Sequence, residues 1–155
     1  MLQAAVMSSH VTLARGADAN GLAVMMSELI PQNLESKPHK KRDFAAIFGS
    51  VSIVAEDAEV ALTLDFRGGE LTIYDGIFGI PDVTIRGPSD AIIAMSNIPL
   101  TRRFGLPFAS RKDKAGRETL AEVKRAMDSG ALHAYGMIFH LPMMLRLTRV
   151  MSVNG

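Results

Sequence analysis

"VALTLDFRGGELTIYDG", residues 60–76, alternates with a period of two. Val60, Leu62, Leu64 and Phe66 fall on one side, and Ala61, Thr63 and Asp65 on the other. Successive side chains of an extended chain point to opposite faces, so this pattern marks a half-buried strand. Arg67-Gly68-Gly69 interrupts it, and paired glycines admit the positive φ of a tight reversal. Leu71 and Ile73 then resume the alternation in "ELTIY". Upstream, "SVSIV" (50–54) puts Val51 and Ile53 on one face, and downstream "DVTIR" (82–86) does the same with Val83 and Ile85. These segments read as four strands, the first three forming a meander of hairpins. One face is apolar and the other mixed, so helices should cover a single face.

Helical spacing appears on both sides of this block. Leu22, Met25, Met26 and Leu29 predict an amphipathic helix over 18–30, which Pro31 should end or kink. "KPHKKR" (37–42) reads as a solvated basic connector, and "FAAIFG" as a short helix stopped by Gly49. "PSDAIIAMSN" turns helical again, with Ser89 as the expected N-cap. Leu120, Val123 and Met127 predict another helix, closed by Gly130. "ALHAYG" is a fifth short strand, and Pro142 suits the first turn of a last helix. That helix, "HLPMMLRLTRVM" (140–151), aligns Met143, Met144, Leu147, Val150 and Met151 on one face, with Leu141 and Leu145 beside it. Strands clustered together rather than alternating with helices predict an α+β fold with a five-stranded, mainly antiparallel sheet covered by helices.

At 155 residues the chain should form a single domain, 1–155, with an N-terminal helical region at 1–41. Ten methionines stand beside no Trp and no Cys, and five of the ten lie between Met127 and Met151. Met is flexible and polarizable, so it suits a wall that adapts to a variable guest. The lack of Cys removes disulfides and thiolate chemistry and fits a reducing compartment. A net charge of +1 gives no field that would attract nucleic acid, and no aromatics are interleaved with the 37–42 bases. The N-terminus lacks the basic start and unbroken apolar run of a signal peptide. No stretch has the apolar length of a membrane span, and the chain closes on "SVNG" rather than a peroxisomal import tripeptide. A cytoplasmic location is expected.

The ordered set "VALTLDFRGGELTIYDG", "DVTIRGPSDAIIAMSN" (82–97), "GALHAYG" (130–136) and "HLPMMLRLTRVM" resembles the sterol carrier protein type 2 family of lipid-binding domains. The resemblance covers about 42–152, interrupted by an insertion at 98–129 that contains an extra helix. It implies a sheet covered by helices around an apolar tunnel for a fatty acyl chain, acyl-CoA or sterol-like ligand. On that expectation Ile92, Met95, Phe104, Phe108, Met127, Phe139, Met143, Met144 and Leu147 are the candidate ligand-binding residues. Within the insertion, Phe104, Leu106 and Phe108 alternate with Arg102, Arg103, Arg111 and Lys112, a pattern suited to a mouth or lid. The expected partners are lipid and, transiently, a membrane surface; no cofactor or metal is expected.

Catalysis is the competing class. His133 and Tyr135 leave the same face of their strand, and His140 precedes the last helix. No nucleophile elbow, zinc-protease motif or phosphate-binding glycine loop accompanies them, and the seven-residue spacing of His133 and His140 is not that of a zinc site. The chain is therefore expected not to be an enzyme, the alternatives being an enzyme acting on a small apolar substrate through His133 and Tyr135, or a protein-interaction module.

Overall fold

The structure, a computed structural model, describes residues 10–97 and 109–152. It contains one six-stranded mixed sheet: β1 (Val11–Leu13), β2 (Phe48–Ala55), β3 (Val60–Arg67), β4 (Leu71–Asp75), β5 (Val83–Gly87) and β6 (His133–Tyr135), in the spatial order β1-β4-β3-β2-β5-β6. Among the described residues five α-helices accompany it: α1 (Gly21–Ser36), α2 (Lys40–Ala45), α3 (Ser89–Ser96), α4 (Lys114–Asp128) and α5 (Leu141–Met151).

The α+β class and the antiparallel β2-β3-β4 meander agree with the sequence pattern, and Gly68 and Gly69 turn the β3–β4 reversal at φ 59° and 96°. The expected count of five strands is corrected to six. The additional strand, β1, falls inside the region expected to be helical and runs parallel to β4, with Leu71 N–H donating to the His10 carbonyl at 2.7 Å. Three residues are too few to establish a period. The meander stops at β4, and β5 crosses over β3 to pair parallel with β2; with β1 also parallel to β4, the expected mainly antiparallel sheet is corrected to a mixed one. β6 then pairs antiparallel with β5.

Register gathers the apolar residues on one face. Val51 lies opposite Leu64 and Val83, and Ile53 opposite Leu62 and Ile85; Leu71 and Ile73 continue the row beside Phe66 and Leu64. All of these side chains are buried. The other face is not simply wet, as its Thr and Ser residues suggest. Ser52 and Thr63 are fully buried and hydrogen-bonded to each other at 2.8 Å. Thr63 Oγ1 also donates to the Gly76 carbonyl and accepts from Phe78 N–H, both at 2.9 Å. The β4–β5 crossover is thereby fastened over the outer face, where Phe78 stacks on Tyr74 with centroids 3.8 Å apart.

Helix α1 covers β3 and β4. Its N-cap, Asn20, accepts from Leu22 and Ala23 N–H, each at 3.1 Å, and donates to the Ala61 carbonyl and the Asp75 carboxylate, each at 2.8 Å. The buried stripe is Ala23, Met26, Ile30 and Leu34, rotated from the expected one, and Met25 is exposed. Pro31 does not end the helix, which continues to Ser36. An interior Pro costs about 3 kcal/mol, and the burial of Ile30, Asn33 and Leu34 on both sides of it offsets that. The "KPHKKR" stretch is likewise not a simple solvated connector: Lys40 opens α2 and is only 2 % exposed. The expected "FAAIFG" helix ends at Ala45, and Phe48 and Gly49 already belong to β2. Phe44 meets Phe66 edge-on, seating α2 on the sheet. Ser89 is the first helical residue of α3 rather than its N-cap; its hydroxyl donates to Asp57 at 2.6 Å, and that bond holds the Asp57 carboxyl below its usual range.

The end of α5 is clasped by α1 and α2. The last carbonyls of a helix have no partner within it. Asn33 Nδ2 donates to the Val150 and Met151 carbonyls, each at 3.0 Å, and Lys40 Nζ donates to the Ser152 carbonyl. Arg149 pairs with Asp43 of α2 at 2.8 Å. Asn33→Ala would leave two buried carbonyls without these bonds and should cost about 1–3 kcal/mol in urea unfolding. Burial lowers the Lys40 pKa from 10.5 to about 8, helped by Lys37 and opposed by Asp43. Between these two values the unfolded chain binds the proton and the folded chain does not, so stability should rise with pH across that window. Urea midpoints at the two ends of the window should show this rise in the native protein and a smaller one in Lys40→Met.

Candidate functional site

The apolar sheet face and the helices above it do not close completely. A cavity of about 50 Å³ remains where α1, α3 and α5 converge on the sheet. Its floor is Ile53, Leu64 and Ile85 from three adjacent strands, β2, β3 and β5. Met26 of α1 forms one wall, Ile92, Met95 and Ser96 of α3 another, and Met144, Leu147, Thr148 and Met151 of α5 the roof. Four of these eleven side chains are methionines. No charged side chain lines the space. The two hydroxyls bond back to their own helices, Ser96 to the Ile93 carbonyl at 2.6 Å and Thr148 to the Met144 carbonyl at 2.8 Å. Each keeps an oxygen able to accept one further hydrogen bond.

Of the nine candidate ligand-binding residues, Ile92, Met95, Met144 and Leu147 meet at this cavity. Met143 is buried but lies elsewhere. Consecutive helical residues differ by about 100°, so Met143 and Met144 face different neighbours, and the Met143 sulfur packs beside Gly49 at the start of β2. A side chain at Gly49 would sit 2.7 Å from that sulfur. Met127 is 41 % exposed on α4, and Phe139 is 87 % exposed in the 3₁₀ turn Met137–His140; neither lines the cavity. Phe104 and Phe108 lie outside the described residues, as do Arg102, Arg103 and Leu106 of the expected mouth, while its Arg111 and Lys112 are exposed. The extra helix of the insertion is α4, which packs on α3 and buries Val123.

The cavity residues that sequence reasoning did not single out are Met26, Ile53, Leu64, Ile85, Ser96, Thr148 and Met151. The strand members were legible as core but not as a floor. Only the crossover that sets β5 beside β2 makes Ile85 a neighbour of Ile53.

His133 and Tyr135 occupy the opposite face of the sheet from the cavity, since Ala134 between them pairs with Ile85. Both are exposed, with rings 5.6 Å apart. Among the described residues, no group of three or more His, Asp or Glu side chains is placed to hold a metal, and no helix is long and apolar enough to cross a membrane.

The arrangement is that of a helix-covered sheet with an apolar space beneath the helices, and its fold is found among solved structures. A UbiJ-SCP2 ubiquinone synthesis protein superposes with a TM-score of 0.54 at 16 % identity, over 84 % of this chain and 94 % of its own. The sterol carrier protein type 2 fold is thereby the fold of this chain. Sterol carrier protein 2 aligns at a TM-score of 0.46 and 14 % identity, over 83 % of this chain and 94 % of its own. A conserved hypothetical protein from Thermus thermophilus, described as possibly a sterol carrier protein, aligns at 0.40 and 15 %, over 82 % and 85 %. No protein-family model and no curated protein matches the sequence.

Met143→Trp should overpack the contact with Gly49 and cost about 1–3 kcal/mol, read as a lowered urea midpoint. Its position away from the cavity predicts unchanged affinity for any apolar ligand that the cavity takes.

Proposed function

We propose that this protein binds and carries a lipid, passively and without catalysis, by admitting an acyl chain or sterol-like body between the sheet and α5. The observation that carries this reading is the apolar cavity walled by Met26, Met95, Met144 and Met151. At about 50 Å³ it is a seed of a site rather than a finished one, because ligand pockets measure about 300–1,000 Å³. A ligand must therefore part α5 or α3 from the sheet. Methionine walls suit such opening, since their unbranched side chains can take new rotamers as the guest enters. A core of β-branched residues would resist it.

The chemistry of the lining sets the orientation. Hydrocarbon replaces hydrocarbon against Ile53, Leu64, Ile85 and Ile92, and Ser96 and Thr148 are the polar groups within reach of a head. An anionic head placed inside would meet no cation in the lining, so it belongs outside the cavity. Burying about fifteen methylenes gains roughly 12 kcal/mol before costs. Association, side-chain ordering and the opening of the fold take back much of that, the first two alone about 4–15 kcal/mol. Affinity should be moderate and tolerant of chain variation. The fold shared with the UbiJ-SCP2 protein supports this reading.

Native mass spectrometry followed by organic extraction should recover lipid from the purified protein, and a fluorescent fatty acid should bind and be displaced by unlabelled lipid. Leu147→Trp should fill the cavity and weaken that binding at least about tenfold, an indole being far larger than the space left. A protein that yields no lipid and ignores the fluorescent probe would end this reading.

A further inference from the structure

The two hydroxyls of the cavity bear on the kind of head its ligand carries. Ser96 is the last residue of α3 and Thr148 lies on α5, and both line the space. Each is half-buried, whereas Ile53, Leu64 and Ile85 of the floor are buried. The hydroxyls therefore stand at the outer margin, and the depth of the cavity is hydrocarbon.

A hydroxyl has one proton to give. Ser96 gives its proton to the Ile93 carbonyl and Thr148 to the Met144 carbonyl, each within its own helix. What they turn toward a guest is lone pairs. Both call for a donor on the guest. A carboxylate or an ether offers acceptors only, whereas an alcohol offers an O–H. To bond a carboxylate, either side chain would first have to abandon the carbonyl of its own helix.

Charge points the same way. Helices α1 and α3 contain no Lys, Arg or His. The two arginines of α5 are turned to α2, Arg146 donating to the Ala46 carbonyl at 3.5 Å and Arg149 pairing with Asp43 at 2.8 Å. Helix α4 packs on α3, but its bases are exposed and none lines the cavity. A carboxylate drawn to the half-buried margin would shed water without gaining a counter-ion from the lining. A neutral hydroxyl sheds less and finds an acceptor.

The fastening of the helices limits the width of the guest. The end of α5 is tied to α1 through Asn33. The start of α3 is tied to the β2–β3 turn, where Asp57 accepts from Ser89 N–H at 2.8 Å and from its hydroxyl at 2.6 Å. Each helix can part from the sheet along its length, but neither is free to lift off whole. A slot opened in this way takes one flexible chain more readily than a rigid fused-ring body.

We infer that the cavity is selective for a neutral, single-chain lipid ending in a hydroxyl, with Ser96 and Thr148 as the acceptors that recognise its O–H. The inference rests on the lipid-carrying reading and narrows it. A fatty acid can still enter chain first, but it leaves its carboxylate outside in water and fills the cavity less deeply.

Displacement of the neutral fluorophore phenylnaphthylamine tests both. Oleyl alcohol, oleyl methyl ether and oleate share one chain, and of the three only the alcohol has a donor. The alcohol should bind about twofold to tenfold more tightly than the ether, the difference made by one neutral hydrogen bond, and should exceed oleate by at least as much. Cholesterol, which has the donor without the flexibility, should also fall behind oleyl alcohol. In Ser96→Ala/Thr148→Val the alcohol should lose its advantage over the ether, and Thr148→Val alone, nearly unchanged in shape, should remove part of it. A parallel drop for every ligand would mark the hydroxyls as structural and overturn their assignment. A native protein that binds the ether or oleate as tightly as the alcohol would overturn the selectivity and leave the lipid-carrying reading standing. Tighter binding of cholesterol than of oleyl alcohol would overturn the single-chain preference. If none of the four displaces the fluorophore, both readings fail.

Discussion

Three main-chain carbonyls at the end of α5 govern how the two layers stay together. Helix α5 is the last described element and roofs the apolar sheet face, yet it follows a three-residue strand and a single turn. Its position is set by long-range bonds. Asn33 and Lys40 come from helices more than a hundred positions earlier, and they satisfy the Val150, Met151 and Ser152 carbonyls in a setting closed to water. A buried carbonyl without a donor is costly, so the three bonds specify one docking of α5 where apolar contact alone would permit several. At the helix's other end, Met143 against Gly49 fixes the approach to β2. The cavity lies between these two fastenings, at the level of Met144, Leu147 and Met151. A roof held at both ends and lined with flexible side chains in the middle can yield locally without coming off.

The outer face answers a different constraint. The chain must travel from the end of β4 to the start of β5 past β3, because β5 pairs with β2. The crossover lies on the face away from the helices, and the buried Ser52–Thr63 pair receives it. Hydroxyls there are cheap to bury because each finds a partner; an apolar pair would leave the Gly76 carbonyl and Phe78 N–H without their bonds. The crossover sets β5 parallel to β2, as β1 is to β4, and the sheet is mixed.

Much of this was legible where local pattern and tertiary demand coincide. The alternation of Val60 to Phe66, the two-glycine reversal and the stripe from Met143 to Met151 each announce a face, and the apolar side of each pattern is turned inward as its period requires. The elements that escaped detection are those decided by distant partners. β1 has three residues and is a strand only because β4 offers an edge. Pro31 and Lys40 contradict their local propensities, one inside a helix and the other inside the core. Ser89 has the character of a cap, but Asp57 across the β2–β3 turn claims its hydroxyl. The candidate site divides the same way. Ile92, Met95, Met144 and Leu147 lie on helix faces whose direction follows from periodicity, and they converge. Met127 and Phe139 have the same apolar character, but their elements turn them to solvent.

Among the described residues, both outermost strands, β1 and β6, are only three residues long, on a sheet whose interior strands reach eight. An open edge is a row of unpaired donors and acceptors that invites another chain to extend the sheet. Here each edge offers too short a template for a stable added strand. Abbreviated borders of this kind work against a β-rich molecule growing into ribbons at high concentration.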